Sequence, residues 1–437
     1  MKAMNTAVPK PSELNASDST GPLVLVEPYA YRLGGHHQHA LVALARARRG
    51  TVVIAPNGIA RQTAAALREA GAVLITGAAG VRARVLLRAA GLLARLSWAG
   101  QRLFRSSRWP VAVRRSPHQI TLLARCLVEA ATLRTARRRC PQTAGVVILS
   151  ASEALHGAAV LLGGLGHVRF VHELVTTEDT PVRLLGRAAR RGERRVTILC
   201  PTTAVRDQLT ARFPQLTCGV RVFAVDDGLR LTDGERDGGR EAFSIPAAEA
   251  VVCLVGGWWP HKDITVIDRA LERLSEPLHV IVTGHPLDEA VLARWTNLPN
   301  IRLHTESGPL SEPVLRLVYA AADAALVARH VGVGKESGLV MDTARYGVPL
   351  IVSDHDPHLT AQLKDQPWAR IFPAGDPASL ARVLADLVHR PFGLPGPGAA
   401  KVLDMWGAAE QAAFLTRTAR ALSLNTSGKK GKGGGGC

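Results

Sequence analysis

The residue types and spacings suited to chemistry gather at four places. In GGWWPHKDITVIDRAL (256–271) two glycines leave an apolar run and Lys262 stands where a helical pattern begins. Glycine lets backbone approach a ligand, a helix start offers unpaired N–H groups, and Lys262 adds a full charge. Gly256, Gly257 and Lys262 are therefore expected to favour an anion, although an ordinary turn with a surface lysine would read the same way. In KESGLVMDTARYGVPLIVSDHD (335–356) Glu336, Ser337 and Gly338 open a helix, Asp342 follows within it, and Gly347-Val348-Pro349 ends it and feeds a strand. A carboxylate at such a turn can accept hydrogen bonds from sugar hydroxyls while N–H groups meet a diphosphate. Glu336 would serve equally as a stabiliser of the helix start.

Two further groups lie in the first half. GGHHQHALVALARA (34–47) follows the first predicted strand, so Gly34 and Gly35 form an open loop and His36, His37 and His39 crowd a helix start. Adjacent histidines do not make the i, i+4 face of a helical metal site, and no metal is expected. His172 and Glu173 end a strand, where an imidazole or carboxylate can take a proton or balance developing positive charge; a structural pair is the other reading. Asp226-Asp227-Gly228 reads as a turn.

These groups need strands and helices to hold them. Continuous apolar runs predict strands at 22–30, 51–58, 72–77, 145–152, 168–174, 196–202 and 220–228, with helices at 39–49 and 62–70 between them. After the Gly- and charge-rich stretch 231–249, a second series of strands (250–258, 279–284, 300–306, 323–329, 349–356, 369–375) alternates with helices at 262–275, 287–296, 311–321, 338–346 and 377–389. The alternation predicts an α/β chain of two Rossmann-like, doubly wound domains whose ligands bind at the carboxyl ends of the strands, in a cleft where the two face each other. The expected limits are 22–235 for the first domain and 245–392 for the second, then a closing helix at 399–424 and a flexible Gly/Lys tail at 425–437. Residues 1–21 are polar and are expected to be disordered.

Composition agrees. The 437 residues are 47 % hydrophobic and 21 % charged, which excludes a small disulfide scaffold and wholesale disorder. No apolar run reaches the roughly 18–20 residues that cross a bilayer. The N-terminus lacks a secretory signal pattern, and the six cysteines form no CxxC pair, so the cytoplasm is the expected compartment.

The net charge of +18 is concentrated. Between Arg82 and Arg139 stand fourteen arginines and a single acid, Glu129, interleaved with leucines, Trp98, Phe104 and Trp109 near helical spacing. That is the composition of an interfacial amphipathic helix, and it predicts peripheral contact with an anionic membrane. Arginines snorkelling over the domain's own core are the alternative. No nucleic-acid-binding signature accompanies the charge, and nucleic acid is not expected.

The succession of the GGWWPHK turn, the VIVTG strand, NIRLHTE, YAAADAALV and ESGLVMDTARYGVPLIVSD resembles the C-terminal domain of GT-B glycosyltransferases, most like the GT4-type group. It spans about residues 250–390. The resemblance implies a nucleotide-sugar donor without bound metal or other cofactor. Lys262 would contact the donor diphosphate, and Gly256, Gly257, Glu336, Ser337, Gly338 and Asp342 would complete the donor site. Gly34, Gly35 and His36 would lie near the acceptor, and His172 or Glu173 at the reacting centre. The chain departs from the group's pattern: Asp342 replaces the second glutamate of the E-x7-E element, Gly334 holds the place of the first, and the arginine usual in the GGWWPHK turn is missing. With the basic segment, the expected activity is transfer of a sugar to a lipid-linked saccharide at the inner membrane face, in envelope or exopolysaccharide assembly. A GT-B nucleotide-sugar epimerase, or a non-enzymatic basic protein binding anionic lipid or nucleic acid, are the alternatives.

Overall fold

A computed structural model describes residues 22–31, 36–104, 110–141, 146–151, 162, 166–171, 187, 196–308, 311–333 and 337–427. Gly34, Gly35, His172, Glu173 and Glu336 lie outside the described residues, as do the first 21 residues and those after Ser427. The chain divides into two compact units.

In the first unit, β1 (Val24–Val26), α1 (His36–Ala47), β2 (Val52–Ala55), α2 (Arg61–Glu69), β3 (Val73–Thr76), α3 (Val81–Leu103), α4 (Val111–Arg139), β4 (Val146–Ala151), β5 (His167–Val171), β6 (Val196–Cys200), α5 (Thr203–Arg212) and β7 (Thr217–Val220) follow one another. The strands form one parallel sheet in the order β3-β2-β1-β4-β5-β6-β7. Strands β5 and β6 are buried along their whole length, as a sheet covered on both faces requires, and β5 carries His167 and Arg169 inside with its apolar residues.

The basic segment folds as two long helices, α3 and α4. They differ in role: α4 is a core element, with Leu133 and Ala136 packed on Val24, Val26, Ile54, Val146 and Ile148 of the sheet. Its internal Pro117 cannot donate to the carbonyl of Val113, and the Ser116 hydroxyl donates to that carbonyl instead, at 2.7 Å. Glu129, the lone acid of the segment, is fully buried and takes a 2.7 Å hydrogen bond from the equally buried Arg169 of β5, while the Tyr29 hydroxyl donates to its other oxygen. The expectation of one amphipathic interfacial segment over 82–139 therefore does not describe α4.

The second unit contains β8 (Val225–Asp226), α6 (Asp233–Ala242), β9 (Val251–Val255), α7 (Ile264–Leu271), β10 (Leu278–Gly284), α8 (Glu289–Thr296), β11 (Ile301–Ser307), α9 (Glu312–Ala321), β12 (Ala324–Val327), α10 (Gly338–Tyr346), β13 (Leu350–Ser353), α11 (Pro357–Leu363), β14 (Ala369–Phe372), α12 (Pro377–His389), α13 (Ala399–Val402) and β15 (Trp406–Gly407). Six parallel strands run in the order β11-β10-β9-β12-β13-β14, and β8 pairs with β15. One apolar cluster lies under α7, α8 and α12, and a second under α9 and α10, so helices cover both faces of the sheet.

Two boundaries differ from the sequence expectation. The units divide between Phe223 and Ala224, ahead of the stretch 231–249. That stretch reads as a linker because of its glycines and charges, yet it forms α6, closed by a capping box between Thr232 and Glu235. Gly239 is what the packing needs there: a Cβ would stand 2.7 Å from the backbone nitrogen of Ala321 in α9. The closing helix is α14 (Ala408–Ser427), which extends three residues into the expected tail and belongs to the first unit. Gln411 accepts from Arg221 at 2.6 Å and the Arg221 guanidinium lies 4.5 Å over the Phe414 ring.

Removing one member of a buried ion pair leaves the other charged and unsolvated. Glu129→Gln is expected to cost about 3–5 kcal/mol of stability. Arg169→Met in the same chain should recover a large part of it, as measured by urea unfolding; a Glu129→Gln protein as stable as wild type would contradict the assignment.

Candidate functional site

In the second sheet β9 and β12 are neighbours, and the strand order reverses between them. A doubly wound sheet opens a crevice at this point, at the carboxyl ends of the strands. The groups expected to bind an anion converge there.

Gly256 leaves β9 with a φ of +82°, a left-handed conformation that glycine adopts without penalty. Gly257 has a different duty from the one its sequence suggests. A Cβ at that position would lie 2.2 Å from the carbonyl oxygen of His285, and one on Gly284 would lie 2.6 Å from the Gly256 backbone. The two-glycine turn is thus packed against the end of β10, and the close approach it permits is to protein. Helix α7 likewise begins at Ile264, after Lys262. Asp263 is its N-cap and accepts from the Val266 N–H at 3.1 Å, so a carboxylate already occupies part of the helix start. The positive character of the site comes from side chains.

Lys262 folds back over the strand end, its Nζ donating to the carbonyls of Val255 (2.9 Å) and Gly256 (2.8 Å). Its backbone bridges to Arg329, two residues past β12. Burial, and secondly the charge of Arg329, lower the Lys262 pKa to about 8. Arg329 is only 4 % exposed; its N–H donates to the Ser353 hydroxyl at 2.9 Å, and that hydroxyl lies 3.0 Å from Nδ1 of His355. Burial and then Arg329 bring His355 down to about 4, so it is neutral at pH 7 and adds no third charge. The sequence motifs do not single out Arg329. A signal exists, since Arg329 ends the predicted strand 323–329, as His172 and Glu173 end theirs.

Around Lys262 the walls are apolar, formed by Leu254, Ile264, Leu326 and Leu339 among others. Leu339 belongs to the first turn of α10, whose N-cap, Ser337, makes no side-chain cap. The Ser337 hydroxyl is buried without a hydrogen-bond partner, and so is that of Thr283 near the end of β10. Buried polar groups are nearly always paired, so these two hydroxyls retain unused hydrogen-bonding capacity. Gly338 is the first residue of α10.

Asp342, expected at the donor, is engaged elsewhere. Buried Arg345 holds Asp227 at 2.9 Å and Asp342 and Glu312 at 3.3 Å each, and the Tyr319 hydroxyl lies 3.4 Å from Asp342. This cluster fastens α10 to α9 and to the turn after β8, which accounts for Asp227. Asp226 accepts from the Gly228 N–H, as the sequence turn predicts. His36 is the first residue of α1. Among the described residues no group of three or more His, Cys, Asp or Glu side chains could hold a metal. No described helix is long and apolar enough to cross a membrane.

No family model matches the chain, and no curated protein matches it. Solved structures do. A glycosyltransferase from Rickettsia africae is similar at 11 % identity and a TM-score of 0.54, over 94 % of this chain and 97 % of that one. HepE from Anabaena, solved with UDP-glucose, is similar at 13 % identity and a TM-score of 0.53, over 93 % and 99 %. WaaG, a glycosyltransferase involved in lipopolysaccharide biosynthesis, is similar at 13 % identity and a TM-score of 0.50, over 94 % and 100 %. The chain has the GT-B fold.

A lysine with a depressed pKa has a definite signature. Below pH 8 Lys262 is charged in both states, and its burial opposes folding. Between about pH 8 and 10.5 the folded protein has released a proton that the unfolded chain keeps, so stability rises. Wild type minus Lys262→Met should show this rise in urea unfolding, and a flat difference across that range would contradict the environment described.

Proposed function

We propose that the protein transfers a sugar from a nucleotide-sugar donor to a lipid-linked saccharide at the inner membrane face, in envelope or exopolysaccharide assembly. The observation that carries this reading is the pair of desolvated cations, Lys262 and Arg329, at the strand-order reversal of the second sheet. A nucleoside diphosphate is the kind of anion that two buried cations attract, and His355, being neutral, adds no further positive charge beside them. The solved complex of HepE with UDP-glucose supports a donor of this class, and WaaG's role in lipopolysaccharide biosynthesis supports the acceptor class.

In this reading the Lys262 ammonium exchanges the carbonyls of Val255 and Gly256 for phosphate oxygens. Arg329 takes the place of the arginine missing from the GGWWPHK turn. Together they neutralise the charge that grows on the diphosphate as the bond to the sugar breaks. Ser337, with the free N–H groups of α10 at Gly338, and Glu336 orient the donor, while Asp342 keeps α10 in place through Arg345. His172 or Glu173 serves at the reacting centre, and Gly34, Gly35 and His36 serve the acceptor. No metal is required, because two fixed cations perform the neutralisation.

Nucleotide release from UDP- and GDP-sugars, with and without a lipid-diphosphate saccharide, tests the proposal. Wild type should release nucleotide at speed only with acceptor present. Lys262→Ala should lower kcat/KM about 100-fold, the size seen when one charge-stabilising group is removed. An unchanged Lys262→Ala enzyme would refute the donor site, and rapid donor turnover without acceptor would favour an epimerase.

A further inference from the structure

The α3 helix is apolar on two opposite sides. Ala83, Ala90 and Ser97, seven residues apart, are buried. Ser97 donates to the carbonyl of Pro117 at 2.7 Å, and Gly100 sits so close to α4 that a Cβ would meet the Pro117 ring at 3.1 Å. That side is the helix's own packing surface. On the other side Val81, Val85, Leu92, Leu96 and Leu103 recur at intervals of four and seven, which places them in one stripe along the helix. They are between 52 and 70 % exposed. A lone exposed leucine needs no explanation, but five on one line of one helix do.

The charges beside the stripe indicate what covers it. Arg82, Arg84, Arg88, Arg95 and Arg102 are all exposed, and α3 contains no acid. The Arg102 guanidinium lies 4.0 Å over the ring of exposed Trp98. Glu129, the only acid between Arg82 and Arg139, is buried against Arg169 and offsets none of this surface charge. A second copy of the chain would bring a like array of arginines against the first. An anionic bilayer offers hydrocarbon for the stripe and phosphates for the arginines at the same depth, the arrangement of a helix lying in the plane of an interface.

We infer that α3 is the membrane-docking element of this protein, lying in the interface with Val81, Val85, Leu92, Leu96 and Leu103 inserted and its arginines on anionic lipid headgroups. This deepens the proposed function, resting on its lipid-linked acceptor for purpose but on the α3 surface for evidence. It also divides the work within the basic segment: α4 is the beam that joins α3 to the sheet, and α3 alone meets the membrane.

Flotation of the full chain with phosphatidylcholine–phosphatidylglycerol vesicles, and with phosphatidylcholine alone, tests it. Wild type should float with the anionic vesicles and much less with the neutral ones, and added salt should weaken binding. The triple variant Leu92→Gln/Leu96→Gln/Leu103→Gln changes only exposed positions, so its melting temperature should match wild type while its vesicle partition falls at least tenfold. Arg88→Gln/Arg95→Gln should lose binding and much of its salt dependence. Arg137→Gln/Arg139→Gln on α4 should change partition less than twofold. Equal flotation of the stripe variant and wild type would overturn the inference. So would a wild-type dimer in solution that the stripe variant abolishes, because a second copy would then cover the stripe. Thermal stabilisation by UDP, read on the same variants, keeps the two proposals apart: it should persist in the stripe variant whatever the vesicles show, and its absence from wild type would count against the donor site alone.

Discussion

Two positive charges held out of water at one end of a parallel sheet set the terms for the second unit. Like charges repel more strongly as the dielectric falls, and each has lost hydration. Two features of the fold offset part of this cost. Carbonyls at the end of β9 receive the Lys262 ammonium, and His355 remains neutral beside Arg329. What remains is a lysine on the edge of losing its proton, an arrangement that an arriving diphosphate would relieve. Strongly perturbed ionisable groups gather at functional sites.

The surrounding architecture keeps that end of the sheet in register. Glycines at 257 and 284 let the turn after β9 interlock with the end of β10, where a side chain would collide, and Gly256 supplies the left-handed conformation that starts the turn. Arg345 gathers Asp227, Glu312 and Asp342 and so ties α10 to its neighbours, leaving the first turn of that helix uncapped at Ser337. In the first unit the corresponding rigid centre is the Glu129–Arg169 pair, which anchors α4 and through it the exposed α3.

Strands and helices are legible because buried parallel strands write themselves as unbroken apolar runs, and every predicted run overlaps one, although 220–228 contains β8 and most of β7 precedes it. Long-range packing was not legible. The stretch 231–249 has the composition of a loop, and only the proximity of α9 explains its glycine at 239. Gly257 reads as a phosphate turn but serves a backbone contact with His285. Asp342 reads as a sugar ligand, yet its partner Arg345 lies three residues on, and the cluster depends on Asp227 and Glu312, which are remote in sequence. Lys262 is legible from its own segment. Arg329, 67 residues later in the chain, becomes its neighbour only when β12 lies beside β9.

The most direct measurement of the central claim is the pKa of the Lys262 ammonium itself, followed by NMR of protein with labelled lysine side chains and assigned by Lys262→Arg. The account predicts a value near 8 in the free protein and a clear upward displacement when UDP is added, because a diphosphate stabilises the charged form. An ordinary lysine value in the free protein, or one that UDP leaves unmoved, would contradict it.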